Sequence, residues 1–400
     1  MTTIQRGAAG GLDLLCVPDD RLRTVSLALG VAYGARFDPS GQGGVAHLLE
    51  HLLMSGTTGR EHSVSELVER LGGHANAQTG PDTMAFYAQV LAEDAPLVAR
   101  ELCTAVLSPA LDPAEFDQER EVVLRELAGA AADPSDVVQD ALLAELFPGH
   151  PLGRPVGGMP EELRALTLSD VDTAYHGVFA TRPAALIAVG PLCVDELAAL
   201  VADRLPQRRV AAFDPVPPGP LAPRTVSGPH QEFSWLCLGS RAPSRSGGDH
   251  AAHVVLAALL GGSPASVLYR ALRGERALSY SFQAWCTAYA ESGAWRVLVG
   301  AEPDAVGEVR VVVREILAKL AAHGPDPEDL DAARRQSTMD LVRTAEAPLD
   351  LVVHVLKRTW AGAVRWDLDT EVADLAAVSA ERVQRAAEQV LAGLTEVVRP

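Results

Sequence analysis

Residues 47–51 read His-Leu-Leu-Glu-His, and these side chains are the ones in the chain most suited to chemistry. The surrounding segment GGVAHLLEHLLMSGTTG contains no proline and has glycines at positions 44 and 56, so it is predicted to form one short helix. Residues four apart stack one turn above each other on a helix, so His47 and His51 can converge on one metal ion. Glu50 lies beside them as a carboxylate able to accept a proton.

The neighbours of these side chains argue against a solvated helix face. A helix with so few polar positions is predicted to be buried nearly all round, and a buried His, Glu and His need a shared partner. The order HxxEH is the inverse of the HExxH zinc helix and is itself a zinc peptidase motif. We therefore predict a metal site and not a pair of polar residues that decorate an amphipathic helix. The apolar neighbours are Val45, Ala46, Leu48, Leu49, Leu52, Leu53 and Met54.

A catalytic zinc ion usually takes three protein ligands and keeps a fourth position for water, so two histidines need one more ligand. The segment DPAEFDQEREVVLRELAG, residues 112–129, is predicted to be an acidic helix. Glu119 and Glu126 are seven residues apart, or two helical turns, and so lie on nearly the same side. The residues by themselves leave four candidates open: Glu115, Glu119, Glu121 and Glu126.

A proline-rich stretch, PVPPGPLAP at residues 215–223, divides the chain near its middle. Regular strands and helices do not run through such a segment, so it is predicted to be a linker. We expect a metal-binding N-terminal domain at 1–212, the linker at 213–225 and a C-terminal domain at 226–400.

The two sides of this linker repeat a similar order of segments, which is typical of an internal duplication. Each side has an alternating strand, TVSLALGVAYGAR or EFSWLCLGSRAPS, then a glycine-containing turn and an apolar helix. Further strands such as MAFYAQVL and AALIAVG alternate with amphipathic helices such as SVSELVERLG. The prediction is an α+β fold of two homologous halves, each a mixed sheet packed with helices.

The second apolar helix, AAHVVLAALLGGS, is a degenerate copy of the first. When the two are overlaid, His253, Leu256 and Ala257 fall on the three polar positions of the HxxEH motif. This copy has lost the base and one ligand. One metal site per chain is therefore predicted, and it lies in the first half.

The formal charge of −18 makes nucleic acid a poor partner, because a strongly acidic surface repels phosphates. No apolar run approaches the roughly twenty residues that span a bilayer, and the start, MTTIQRGAAGG, has no hydrophobic core of a signal peptide. We expect a cytoplasmic protein without membrane association. The cysteines stand singly, with no CxxC pair, and are predicted to be reduced core thiols: Cys16, Cys103, Cys193, Cys237 and Cys286.

The chain resembles the pitrilysin and insulinase-type zinc metallopeptidases (inverzincins), in the short-chain branch that includes the mitochondrial processing peptidase and bacterial processing proteases. Beyond HxxEH, the resemblance continues through LGGHANAQTGPDTMAFYAQVL, GHPLGRPVGG and LLGGSPASVLYRALRGERALSYSF, so it covers most of both halves. It implies a zinc-dependent endopeptidase that hydrolyses peptides or unfolded precursor segments. In that family a glutamate ligand follows the motif by about 75 residues, and Glu126 lies 75 residues after His51.

The resemblance therefore implies one zinc ion per chain, held by His47, His51 and Glu126, with Glu119 orienting a ligand. Zinc at such a site acidifies a water molecule and polarises the scissile carbonyl. Glu50 is then the general base, which takes the water's proton and later passes it to the leaving amine.

The same resemblance implies that the second half helps to hold the substrate. Arg273 and Tyr280, seven residues apart in LRGERALSY, correspond to a pair that binds the substrate backbone or the oxyanion. Asn76, Ala77 and Gln78 in HANAQT correspond to an edge strand beside the metal, which pairs with an extended peptide through main-chain hydrogen bonds.

Long-chain members of that family enclose a chamber with four α+β units, whereas this chain has two. The resemblance thus implies a homodimer, or a heterodimer with a paralogous subunit, in which one subunit's metal half faces the other's Arg/Tyr half. Two alternatives stay open: a zinc hydrolase of small molecules, and a non-catalytic peptide-binding or core subunit of a heterodimeric peptidase.

Overall fold

The computed structural model describes residues 4–399 except 58–59, 212–213, 228–232, 245–246, 262 and 360–366. The chain forms two compact units, each assembled from segments that are separated in sequence. The segments of the first unit are Met1–Ala128, Arg154–Asp214 and Arg343–Leu368. Those of the second unit are Gly129–Gly153, Pro215–Val342 and Asp369–Pro400.

The strands, in chain order, are β1 (Gln5–Ala9), β2 (Leu12–Pro18), β3 (Thr24–Val31), β4 (His74–Thr79), β5 (Met84–Leu91), β6 (Ala184–Gly190), β7 (Thr225–Ser227), β8 (Ser234–Ala242), β9 (Ser281–Ala288), β10 (Gly293–Ala301) and β11 (Thr395–Arg399).

The helices are α1 (Val45–Met54), α2 (Val64–Arg70), α3 (Ala95–Leu107), α4 (Pro113–Ala131), α5 (Pro134–Leu146), α6 (Pro160–Ala165), α7 (Leu168–Gly177), α8 (Val194–Val201), α9 (His250–Leu260), α10 (Val306–His323), α11 (Pro327–Glu346), α12 (Pro348–Thr359), α13 (Leu368–Ala376) and α14 (Ala380–Ala392). A π-helix covers Tyr269–Glu275, and short 3-10 turns cover Ala35–Phe37, Pro151–Gly153 and Phe179–Thr181.

The two sheets repeat one strand order. The first unit holds a six-stranded sheet in the order β1-β2-β6-β3-β5-β4, and the second a five-stranded sheet in the order β7-β11-β8-β10-β9. In each sheet one pair is parallel, β2 with β6 and β7 with β11, and the other pairs are antiparallel. From β2 onward, strand order and pairing direction match between the sheets. The predicted α+β fold of two related halves with mixed sheets is confirmed.

The central strands β3 and β6 are buried along nearly their whole length, because both faces of the first sheet are covered. One face contributes to a large core that includes the apolar side chains of α1 and α3. The other face is covered by α12, whose Val352, Val355 and Leu356 are at most 1% exposed. Gly30 on β3 permits this close approach, since a Cβ there would lie 2.4 Å from Leu356 Cδ2.

Each sheet is covered by a helix from the other half of the sequence. α12 follows the predicted linker in the chain yet packs on the first sheet, and α5 precedes the linker yet packs on β8 and β11 of the second. The chain changes unit at 214/215, inside the predicted linker 213–225, and at four further points. Three of these lie within the helices α4, α11 and α13. The domain boundaries 1–212 and 226–400 stay a prediction.

No helix in the described ranges is long and apolar enough to cross a membrane. The five cysteines form no disulfide. Cys16, Cys103 and Cys237 are buried, as expected of core thiols, whereas Cys193 and Cys286 are only partly buried.

Replacing Leu356 by alanine is expected to lower the free energy of unfolding by about 3 kcal/mol, because a fully buried side chain would leave a cavity against β3. Urea unfolding followed by circular dichroism measures the change. The matched control is Met339→Ala on α11, where the side chain is 55% exposed and the loss should stay below about 0.5 kcal/mol. Equal stabilities of the two variants would contradict the role given to α12.

Candidate metal centre

The HxxEH motif lies on α1, as predicted, and this helix is anchored in the core of the first unit. Its seven apolar side chains are all buried, while His47, Glu50 and His51 keep partial exposure on the remaining side. Gly44 caps the helix in a left-handed conformation, with φ of 97°. The polar residues therefore share one narrow open face of an otherwise buried helix.

His47, His51 and Glu126 converge at this face. Glu126 Oε2 on α4 lies 3.6 Å from His47 Nε2 and 3.4 Å from His51 Nε2. The two imidazole rings have centroids 5.0 Å apart and planes 79° from parallel, so they point at one place from two directions. Within the described residues, this is the cluster of His, Cys, Asp or Glu side chains whose geometry could hold a metal ion.

The geometry and chemistry of these three side chains fit zinc. Donor atoms about 2.0–2.2 Å from a tetrahedral zinc ion lie roughly 3.3 Å from each other. The spacings of 3.4 and 3.6 Å between Glu126 and the imidazole nitrogens are close to that value and too long for strong hydrogen bonds. Two imidazole nitrogens and one carboxylate oxygen are also a donor set that zinc prefers.

Glu119 on α4 contacts His51. Its Oε2 lies 3.1 Å from His51 Nδ1, which leaves Nε2 of that ring turned toward Glu126. The Glu119 side chain is only 12% exposed, against 50% for Glu126, so the two carboxylates have different surroundings. Such a contact fixes both the tautomer and the orientation of an imidazole that binds a metal.

Burial and charge set the protonation of the two histidines differently. For His47, burial and the neighbouring His51 lower the pKa to about 4, so the ring is neutral and free to bind a metal at neutral pH. For His51, burial lowers the pKa, but the hydrogen bond that the ring donates to Glu119 and the charges of Glu126 and Glu50 outweigh it and raise the pKa overall.

The pKa of Glu50 lies above its ordinary value. Burial is the largest cause, and the negative charge of Glu126 adds to it, whereas Thr79 on β4 and His51 favour the charged form. A carboxyl group whose pKa moves toward neutrality is suited to accept and return a proton. Sequence reasoning did not single out Thr79 as a neighbour of this carboxylate.

Gly157 and Gly158, the last two residues of the segment GHPLGRPVGG, lie against the start of α1. A Cβ on Gly157 would lie 2.5 Å from Leu127 Cδ2 and 3.8 Å from His47 Nδ1, a buried nitrogen without a hydrogen-bond partner among the described residues. Gly158 has φ of 80°, and a Cβ there would lie 2.3 Å from the backbone nitrogen of Gly44. Because neither glycine has a side chain, this part of the chain can lie directly against α1.

The predicted edge strand is present. β4 pairs only with β5 and ends the first sheet, and its residues alternate between exposed and partly buried. Asn76 and Gln78 are exposed, Ala77 is partly buried, and the N–H of Ala77 donates to Asn76 Oδ1 at 2.8 Å.

Arg273 and Tyr280 come together in the second unit. The Arg273 guanidinium lies 5.6 Å from the Tyr280 ring centroid and 5.1 Å from that of Tyr269, so it sits against two aromatic rings. Arg273 lies in the π-helix, and Ala277 has a positive φ of 53° just beyond it. Tyr280 is 73% exposed and is therefore accessible to another molecule.

The second apolar helix, α9, forms no comparable cluster with the other residues that the structure describes. His253 is 1% exposed, and its Nδ1 lies 3.0 Å from the Asp249 carbonyl oxygen, one turn earlier in the chain. Asp249, the residue before α9, has the left-handed conformation that Gly44 has before α1. If these two residues are aligned, the overlay of the helices moves by one residue from the one that places His253 on His47. In either alignment the positions of Glu50 and His51 are taken by apolar residues.

Two protein-family models match successive parts of the chain and together cover most of it. Residues 15–159 match the family model described as Insulinase (Peptidase family M16), and residues 165–337 match the model described as Peptidase M16 inactive domain. An uncharacterized zinc protease of Mycobacterium leprae (strain TN) is 31% identical over 323 residues, which cover 79% of this chain and 73% of that protein. The mitochondrial-processing peptidase subunit beta of Bos taurus is 26% identical over 328 residues, which cover 78% of this chain and 66% of that protein.

Solved structures show the same fold at low sequence identity. A protease from Helicobacter pylori superposes with a TM-score of 0.89 at 18% identity and full coverage of both chains. A peptidase M16 inactive domain from Pseudomonas fluorescens superposes with a TM-score of 0.87 at 20% identity, covering 99% of this chain and 97% of that one.

Replacing Gly158 by alanine is expected to lower the free energy of unfolding by about 2 kcal/mol or more and to weaken metal binding, because the new Cβ would push Gly44 and the start of α1 aside. Urea unfolding and zinc titration check both effects. Gly129→Ala in α4 is the control: nothing lies within 4 Å of its Cβ position, and the helix should gain up to about 1 kcal/mol. Unchanged zinc binding in the Gly158 variant would contradict this reading.

Proposed function

This chain belongs to the insulinase family, peptidase family M16, and we propose that it is a zinc-dependent endopeptidase that hydrolyses peptides or unfolded precursor segments. The observation that carries the proposal is the convergence of His47, His51 and Glu126 at one face of α1, with Glu50 between the two histidines in sequence. Relatives of this chain are named zinc proteases, which supports zinc as the metal.

In the proposed reaction, zinc held by His47, His51 and Glu126 supplies Lewis-acid polarisation of the scissile carbonyl and lowers the pKa of a water molecule. Glu50 accepts a proton from the attacking water as its oxygen bonds to the carbonyl carbon. The same carboxyl then donates that proton to the leaving nitrogen as the C–N bond breaks. Glu119 keeps Nε2 of His51 directed at the site throughout.

Substrate binding is assigned to β4 and to the pair in the second unit. An extended peptide would pair with the free edge of β4 along Asn76, Ala77 and Gln78, which selects flexible segments with little regard for their sequence. Tyr280 would donate a hydrogen bond to the oxyanion, and Arg273 would bind a substrate carbonyl or carboxylate. The aromatic rings beside Arg273 limit its freedom before substrate arrives.

We further propose that the active assembly is a homodimer, or a heterodimer with a paralogous subunit, in which the Arg/Tyr pair of one subunit serves the metal site of the other. One relative is named a subunit of a processing peptidase, which supports a multisubunit arrangement. The second half matches a model described as an inactive domain, in accord with its lack of a second HxxEH motif.

Glu50→Gln is expected to retain zinc while losing peptidase activity by a factor of about 10² or more, because the amide cannot accept the water's proton. Zinc content and hydrolysis of a fluorogenic peptide are measured on the same sample. Glu121→Gln, an exposed carboxylate of α4, is the control and should keep full activity.

Wild-type activity in the Glu50 variant would rule out this carboxylate as the base. A wild-type chain that binds zinc and the peptide but never cuts it would favour the non-catalytic peptide-binding subunit. Cleavage of small esters or amides without any peptidase activity would favour the small-molecule hydrolase.

Mixing two inactive variants, His47→Ala and Tyr280→Phe, is expected to restore activity. Random exchange of subunits would leave about a quarter of the sites with both an intact metal half and an intact tyrosine. Activity is followed after mixing, and exchange is verified with differently tagged subunits. Exchange without recovery would contradict a site completed across the subunit interface.

A further inference from the structure

Three glutamates of α4 form one stripe along the helix: Glu115, Glu119 and Glu126. Their spacings of four and seven residues, at 100° per residue, place all three within about 40° of one line. Glu126 lies against His47 and His51, and Glu119 against His51. Glu115, the remaining member of the stripe, has no part in the proposed reaction.

Glu115 holds the segment that follows α1. Its Oε1 accepts hydrogen bonds from the backbone N–H of Thr57 at 2.8 Å and from the Thr57 hydroxyl at 2.6 Å. The N–H groups of Ser55 and Gly56, just before Thr57, donate to the backbone carbonyl of His51 at 2.8 and 3.3 Å. Glu115 is thus connected to His51 through the hydrogen-bonded backbone of residues 55–57.

Asp38 holds the other end of α1. Its two carboxylate oxygens accept the N–H of Gly44 at 2.8 Å and the N–H of Ala46 at 2.9 Å, and the side chain is buried. Ala46 directly precedes His47. The start of a helix has backbone N–H groups without partners, and a carboxylate that binds two of them also complements the positive end of the helix dipole.

α1 and α4 run antiparallel in this arrangement. Thr57, just beyond α1, meets Glu115 of α4, while His51 and His47 on α1 meet Glu119 and Glu126 in turn. A shift of α1 along its axis would carry both imidazoles away from Glu126 together. Metal affinity depends on how the ligands are oriented, so such a shift would weaken metal binding before it unfolded the protein.

We propose that Asp38 and Glu115 are positioning residues, which fix α1 at its two ends so that His47 and His51 meet Glu126 at metal-binding distance. The inference rests on the proposed function, because it takes these three side chains as zinc ligands.

The test compares Asp38→Asn and Glu115→Gln with the wild-type full-length chain. Zinc dissociation constants are measured by competition with a chromogenic chelator, and thermal unfolding is followed on the metal-free proteins. Each variant is expected to bind zinc about tenfold more weakly, the lower end of what loss of an outer contact costs a metal site. Thr57→Val removes the hydroxyl, one of the two donors to Glu115, without a change of charge. This variant should lose part of the zinc affinity that Glu115→Gln loses.

Glu196→Gln is the matched control. Glu196 Oε2 accepts the N–H of Cys193 at 2.7 Å at the start of α8, so the change also removes a carboxylate from a helix terminus of the first unit. α8 packs on β1, β2 and α3. Loss of the Glu196 carboxylate should therefore lower the melting temperature and leave the zinc dissociation constant unchanged.

Zinc affinity equal to wild type in Glu115→Gln and Thr57→Val would overturn the positioning role, even if both variants melt earlier. Loss of zinc affinity in the Glu196 control to the same degree would also overturn it, since the effect would then be one of general stability. A wild-type chain that binds no zinc would instead overturn the proposed function, which separates the two failures.

Discussion

The candidate site depends on the polar side-chain contacts between α4 and α1. α1 is buried by seven apolar side chains, and on its remaining face it carries two imidazoles and a carboxylate. α4 brings Glu126 within 3.4 and 3.6 Å of the imidazole nitrogens and Glu119 within 3.1 Å of the other nitrogen of His51. Burial makes unpartnered polar groups costly, so this arrangement is stable only if the groups share a partner or a proton.

The surrounding structure serves to hold those two helices. Glycines at 157 and 158 let a loop lie against the start of α1, and Arg154 in the same loop donates to the Asp38 carbonyl oxygen at 2.7 Å. The sheet beneath is closed on its far face by α12, a helix that comes from much later in the chain. The second unit repeats the strand order, but its apolar helix α9 has apolar residues at the positions of Glu50 and His51.

Much of this arrangement was predictable from the sequence because the signals are local. The apolar run around HLLEH predicted α1, and the segments MAFYAQVL and AALIAVG, predicted as strands between amphipathic helices, are β5 and β6 with their observed bounds. Residue spacing placed Glu119 and Glu126 on one side of a helix, yet it could not say which side faces α1. The family resemblance pointed to Glu126, and the structure puts that residue at the two histidines.

Other features were not predictable because they depend on tertiary contacts. Asp38 caps α1 from six residues before Gly44, outside the usual local position of a helix cap, so no sequence pattern marked it. That α5 and α12 each cover the sheet formed mainly by the other half of the sequence was missed for a related reason. An amphipathic helix shows that it has an apolar face, but its sequence does not say which sheet that face will cover.

Whether His47, His51 and Glu126 hold one zinc ion per chain can be seen by anomalous X-ray diffraction from crystals grown with zinc, recorded on both sides of the zinc absorption edge. We expect one strong peak per chain, about 2.0–2.2 Å from Nε2 of both histidines and from a Glu126 carboxylate oxygen. A zinc peak bound elsewhere, with these three side chains left unliganded, would contradict it.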